Sequence, residues 1–83
     1  RGHINEGGFY PLFIGEKMFY YKDENDAVFF ISKYTIEYNE DAHTYSVYLY
    51  EHEWGENGKE YFQVGDEEFA TYDEVLNFLK EGQ

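Results

Sequence analysis

The chain has 83 residues, a formal charge of −12 and no cysteine, which leaves room for one domain and excludes a disulfide framework or a thiolate metal site. Ten tyrosines, eight phenylalanines and one tryptophan supply core material and argue against disorder, since chains too acidic to fold are poor in aromatic residues. The negative balance repels phosphate backbones and anionic lipid, so direct nucleic-acid or membrane binding is not expected.

Residues 1–8 (RGHINEGG) are expected to stand outside the fold as a flexible segment or a remnant of processing, leaving 9–83 as a single small domain. No run of about 18 apolar residues and no signal-peptide pattern occurs, and a cytoplasmic location is expected. The aromatic segment FYPLFIGEKMFYY (9–21) has to cover some apolar surface of the rest. Its periodicity does not say which.

NDAVFFISK (25–33) has strand propensity taken alone. However, GEKMFYYKDENDAVFFISK (15–33) parallels GDEEFATYDEVLNFLK (65–80), setting Asp26, Val28, Ile31 and Lys33 over Asp73, Val75, Phe78 and Lys80. Acids before the apolar run and a lysine at its end also suit a helix dipole. The repeat predicts a helix over 24–33, with each half entering through a hairpin that turns at Gly15 or Gly65.

The middle of the chain alternates. KYTIEY (33–38) places Tyr34, Ile36 and Tyr38 on one face, and TYSVYLYEHEW (44–54) places Tyr45, Val47 and Leu49 on the same side. Asn57-Gly58 signals a tight hairpin into KEYFQV (59–64). Thr71 and Glu74 then form a capping box ahead of Tyr72, Val75, Leu76, Phe78 and Leu79, which recur with helical period over 72–80. The fold class expected is α+β: an antiparallel sheet of four to six strands, with the C-terminal helix (72–80) and the second helix (24–33) on one face. Tyr34, Ile36, Tyr38, Tyr45, Val47, Leu49, Phe62 and Val64 would form the core with Val75, Leu76, Phe78 and Leu79.

On the other face stand Tyr48, Tyr50, His52 and Trp54, amphipathic rings of the kind enriched at interface centres. Two fates are open to them: cover by residues 9–21, or exposure as a binding platform. Charge is uneven as well. Residues 1–33 hold five acids and four bases, whereas residues 34–83 hold thirteen acids and two bases. Glu37, Glu40, Asp41, Glu51, Glu53 and Glu56 lie on the central hairpins, and Asp66, Glu67 and Glu68 form a second group.

Chemistry beyond binding has little support. Asp23, Asn25 and Asp26 open like an EF-hand loop, but Val28 stands where glycine is required and the closing glutamate is missing. His43 and His52 are too few to hold a metal. No convergent nucleophile, base and oxyanion set is present, so neither an enzyme nor a cofactor is expected. The expected function is a small acidic protein-binding inhibitor using Glu37, Glu40, Asp41, Tyr48, Tyr50, Glu51, Glu53, Trp54 and Glu56 against a basic protein surface, such as that of a nucleic-acid-processing enzyme. In charge and size the chain resembles, as a class, the small phage-encoded inhibitors of restriction, CRISPR and DNA-repair enzymes, many of which mimic nucleic acid. That resemblance implies carboxylates in the places of phosphates, in the cytoplasm of a host cell. The alternatives are a carbohydrate- or ligand-binding module built on the Tyr/Trp platform, or an interaction domain of a larger protein.

Overall fold

The computed structural model describes the backbone of residues 9–81 and the side chains of residues 15–80. Six strands and one helix follow in chain order: β1 (Phe9–Gly15), β2 (Phe19–Lys22), β3 (Val28–Ile31), β4 (Lys33–Asn39), β5 (Thr44–Gly55), β6 (Gly58–Phe69) and α1 (Tyr72–Glu81). Strands β1, β4, β5 and β6 form one antiparallel sheet in that order, and β2 and β3 form a separate two-stranded sheet. The α+β class and the helix at 72–80 are thus observed.

The central meander follows from alternation and turn chemistry. Lys33 to Asn39 pair with Tyr50 to Thr44 without a slip, which sets Ile36 opposite Val47, both fully buried. At the intervening turn the Asn39 side-chain oxygen accepts from the N–H groups of Asp41 and Ala42, and His43 takes the left-handed conformation (φ 57°) while its N–H donates to the Asn39 carbonyl at 2.8 Å. The second hairpin closes at Gly55 and Gly58. Its two turn residues are Glu56 and Asn57, and the positive φ falls on Gly58 (105°), where no side chain resists it.

Residues 24–33 are not helical. Val28–Ile31 is a strand paired with Phe19–Lys22, and the acids ahead of it build a turn instead of charging a helix N-terminus. The Asp23 carboxylate accepts from the N–H groups of Asn25 and Ala27, the Asp23 N–H donates to the Ala27 carbonyl, and Asp26 adopts φ 63°. A left-handed residue cannot continue a right-handed helix. The bulky, branched run VFFI then finds an aromatic partner strand, where its propensity and its pairing agree. Gly15 and Gly65 are not hairpin turns either: Gly15 ends β1 and Gly65 lies inside β6.

The β2–β3 hairpin and α1 cover the same face of the large sheet. Phe19, Tyr21 and Ile31 join Ile36, Val47, Leu49, Val75 and Leu79 in the core, with Tyr34, Tyr45, Val64, Phe69 and Phe78 packed around them. Segment 9–21 is therefore divided between an edge strand and the core-side hairpin, and its Phe19–Tyr21 part does not cover the tyrosine face of β5. Three expected core residues are outside: Phe62 and Leu76 are 42% and 45% exposed, and Tyr38 is half-buried without packing on the core. Phe62 lies opposite Glu51, two residues past Leu49 and beyond the end of the core, while the bulge, where Leu49 pairs with Gly65 and Tyr50 with Gln63, keeps the extra residue Val64 packed on it. Leu76 lies on a flank of α1 that neither sheet reaches, whereas Val75 and Leu79 point inward.

Thr71 caps the helix as expected: its hydroxyl oxygen accepts from the Glu74 N–H at 3.3 Å, and Glu74 Oε1 accepts from the Ala70 N–H at 3.1 Å. Asp73 and Glu74 occupy the first turn and Lys80 the last, favourable ends for their charges.

Candidate functional site

Side chains of a strand alternate, so Ser46, Tyr48, Tyr50, His52 and Trp54 of β5 share the outer face of the sheet. Register adds their neighbours: Thr35 and Asp66 flank Tyr48, Lys33 and Gln63 flank Tyr50, Tyr61 lies opposite His52, and Lys59 lies opposite Trp54. The rings form a ladder, with His52 edge-on to Trp54 at 6.1 Å and to Tyr61 at 6.0 Å. Lys33 Nζ sits 4.4 Å from the Tyr61 ring centre and 5.6 Å from that of Tyr50. Lys59 Nζ stands between Trp54 (5.9 Å) and Tyr61 (5.8 Å). Cations over ring faces are held by the quadrupole. Trp54 is 72% exposed, whereas Tyr48 and Tyr50 are half-buried. Burial pushes the Tyr48 hydroxyl up in pKa, and the Glu37 and Asp66 carboxylates add to it.

The nine residues anticipated as one site do not form one patch. Glu37, Tyr48, Tyr50 and Trp54 share the outer face, where Glu37 and Glu68 flank Ser46 on either side. Glu51 and Glu53 point to the opposite face, and Glu53 lies directly across from Glu60. Glu40 and Asp41 sit in the β4–β5 turn and Glu56 in the β5–β6 turn, at the two ends of twelve-residue β5, about 36 Å of extended chain.

A second feature was not anticipated. Strand β2 crosses β6 where Gly65 leaves room for the Tyr21 ring, and a cleft of about 600 Å³ opens beside the crossing. Asp23, Glu24, Asp66 and Glu67 line it, with Lys22 as the one base among its lining residues. The Tyr21 hydroxyl donates to Glu67 Oε2 at 3.1 Å. Its pKa is pushed up to about 12, first by burial and then by the bond and the charge of Glu67. Only the alternation and the acid run 66–68 were visible beforehand; the crossing itself depends on the placement of β2.

Among the described residues no group of three or more His, Asp or Glu side chains is gathered as a metal would need; His43 stands in the β4–β5 turn, joined to the Tyr38 hydroxyl at 3.1 Å, and His52 lies within β5. No helix of the described residues is long and apolar enough to cross a membrane. No protein-family model, curated protein or solved structure matches the chain. What the arrangement can do chemically is present carboxylates and amphipathic rings on a stiff sheet, a surface for recognition.

Proposed function

We propose that this chain is a small acidic protein-binding module, an inhibitor by occlusion, that docks on a basic surface of another protein of the kind that otherwise receives nucleic acid. The observation that supports this reading is the composition of the β5–β6 hairpin, which carries seven carboxylates (Glu51, Glu53, Glu56, Glu60, Asp66, Glu67 and Glu68) and one lysine, Lys59. Lys33 and Lys59 lie over aromatic rings of the outer face, Lys17 lies over Phe19, and Lys22 shares the cleft lined by Asp23, Glu24, Asp66 and Glu67, so acids outnumber bases on the ribbon. The paired ribbon holds Glu51, Glu53 and Glu60 on one face and Asp66 and Glu68 on the other, so a cationic partner meets either group already arranged.

The test is affinity capture with two baits, the wild-type chain and a variant with Glu53→Gln, Glu60→Gln, Asp66→Asn and Glu68→Gln. A specific partner is retained by the wild type at low salt, released at about 0.5 M salt as screening sets in, and not retained by the variant. Equal retention by both baits would exclude charge-led docking. A nucleic-acid enzyme recovered in this way should also lose activity when the pure chain is added.

A further inference from the structure

One side of the molecule combines exposed apolar surface with a row of carboxylates. The β2–β3 hairpin turns Phe19, Tyr21 and Ile31 into the core, which directs Tyr20, Val28 and Phe30 outward. Tyr20 is 60% exposed, Val28 53% and Phe30 42%. The Tyr20 and Phe30 rings are cross-strand partners with centres 5.1 Å apart, so the apolar surface is one stacked unit. Such a cluster on the surface of a small soluble domain marks a contact site more often than chance does.

Glu51 joins this cluster to the β5–β6 ribbon. Its carboxylate accepts from the Phe30 N–H at 3.5 Å, and its partner on β6 is the exposed Phe62. Two residues further along, Glu53 faces Glu60 across the ribbon. Directly opposed side chains on antiparallel strands have Cβ atoms about 5 Å apart, and like charges there destabilise the sheet. A cation placed between them removes that penalty. Lys59, one residue from Glu60, is directed to the other face over Trp54 and Tyr61.

We infer that the Tyr20–Phe30 stack and the Glu51, Glu53 and Glu60 carboxylates together form the docking surface for a basic, amphipathic segment of a partner protein. Its apolar side chains lie on Tyr20, Val28 and Phe30, and its lysines or arginines enter the row of carboxylates. This rests on the acidic-binder reading and names the partner's chemistry. Charge complementarity selects the occupant: the row repels nucleic acid and anionic lipid, and an uncharged apolar partner would leave Glu53 and Glu60 opposed and more deeply desolvated.

Fluorescence anisotropy with two labelled synthetic peptides tests the inference on the full chain. One peptide is an amphipathic leucine–lysine sequence and the other is oligolysine of equal charge. The amphipathic peptide should bind about tenfold more tightly than oligolysine, the difference being anchor burial. Glu53→Gln with Glu60→Gln, and separately Tyr20→Ser with Phe30→Ser, should each weaken it about tenfold, while Asp26→Asn with Asp73→Asn, the same loss of charge elsewhere, should change it less than about twofold. All substituted side chains are exposed or in a turn, and unchanged circular dichroism confirms that the variants fold. If the control pair weakens binding as much as Glu53 and Glu60 do, or if Tyr20 and Phe30 have no effect, this surface is not the site, although a basic partner remains. If neither peptide binds even at low salt, the acidic-binder reading itself fails.

Discussion

The ring of Tyr21 lies against Gly65 so closely that a Cβ at position 65 would run into it. Tyr21 is buried (7% exposed) and belongs to the small hairpin, while Gly65 stands at the bulge of β6. The glycine leaves room on the large sheet for a ring of the small hairpin. Gly65→Ala should therefore force the ring outward and cost about 1–3 kcal/mol of stability. Urea denaturation of Gly65→Ala, Tyr21→Ala and the double variant should show costs that fail to add, since the alanine has nothing to strike once the ring is gone. Additive costs would show that the two residues act independently.

The same tyrosine carries an alkaline signature. Its hydroxyl pKa is about 12, against the ordinary 10.0. Below pH 10 folded and unfolded chains both keep the proton, and the difference is silent. Between about 10 and about 12 the unfolded chain has released a proton that the folded chain retains, so stability falls as the pH rises through that window. Tyr21→Phe should flatten that fall. The check is urea denaturation as a function of pH for both proteins, with phenolate absorbance following the late-titrating tyrosine.

Opposed carboxylates at Glu53 and Glu60 predict a substitution that improves the fold at the expense of recognition. Glu60→Lys converts a like-charge pair into an attractive one and should raise stability by about 0.2–1 kcal/mol. Thermal melts at low and high salt would test it, because the gain should shrink as screening increases.

Position along α1 separates two leucines of identical chemistry. Leu79 is 5% exposed and Leu76 is 45% exposed. Leu79→Ala should cost about 2–5 kcal/mol, a large part of the few to about twelve expected for a domain of this size. Leu76→Ala should cost about 1 kcal/mol or less. Denaturation midpoints of the two variants measure the contrast, and equal costs would mean that Leu76 is covered in solution.

The helix cap gives a smaller, independent effect. Thr71→Ala removes the acceptor for the Glu74 N–H and should cost about 1 kcal/mol, whereas Thr71→Ser should be nearly neutral. Chemical denaturation of both variants separates the hydroxyl from its methyl group.

Local chemistry in the chain determined the parts that depend on neighbours in sequence. The alternation of Tyr34, Ile36 and Tyr38 against Tyr45, Val47 and Leu49, the hairpin at Gly58, the cap at Thr71 and the acidic bias of the second half were all legible. Each is settled within a few residues by side-chain alternation, turn conformation or charge. Tertiary structure alone decided the fate of VFFI, which becomes a strand because Phe19–Lys22 pairs with it and Asp23 builds the turn between them. It also decided that Phe62, opposite Glu51, stands past the end of the core, and that Asp23 and Glu24 line one cleft with Asp66 and Glu67. Period and propensity describe which way a side chain points from its own backbone. What it meets there is set by the packing of distant segments: the small hairpin sits on the large sheet through the buried Phe19 and Ile31, the Ser32 N–H bond to the Tyr50 carbonyl, and the room that Gly65 leaves for Tyr21.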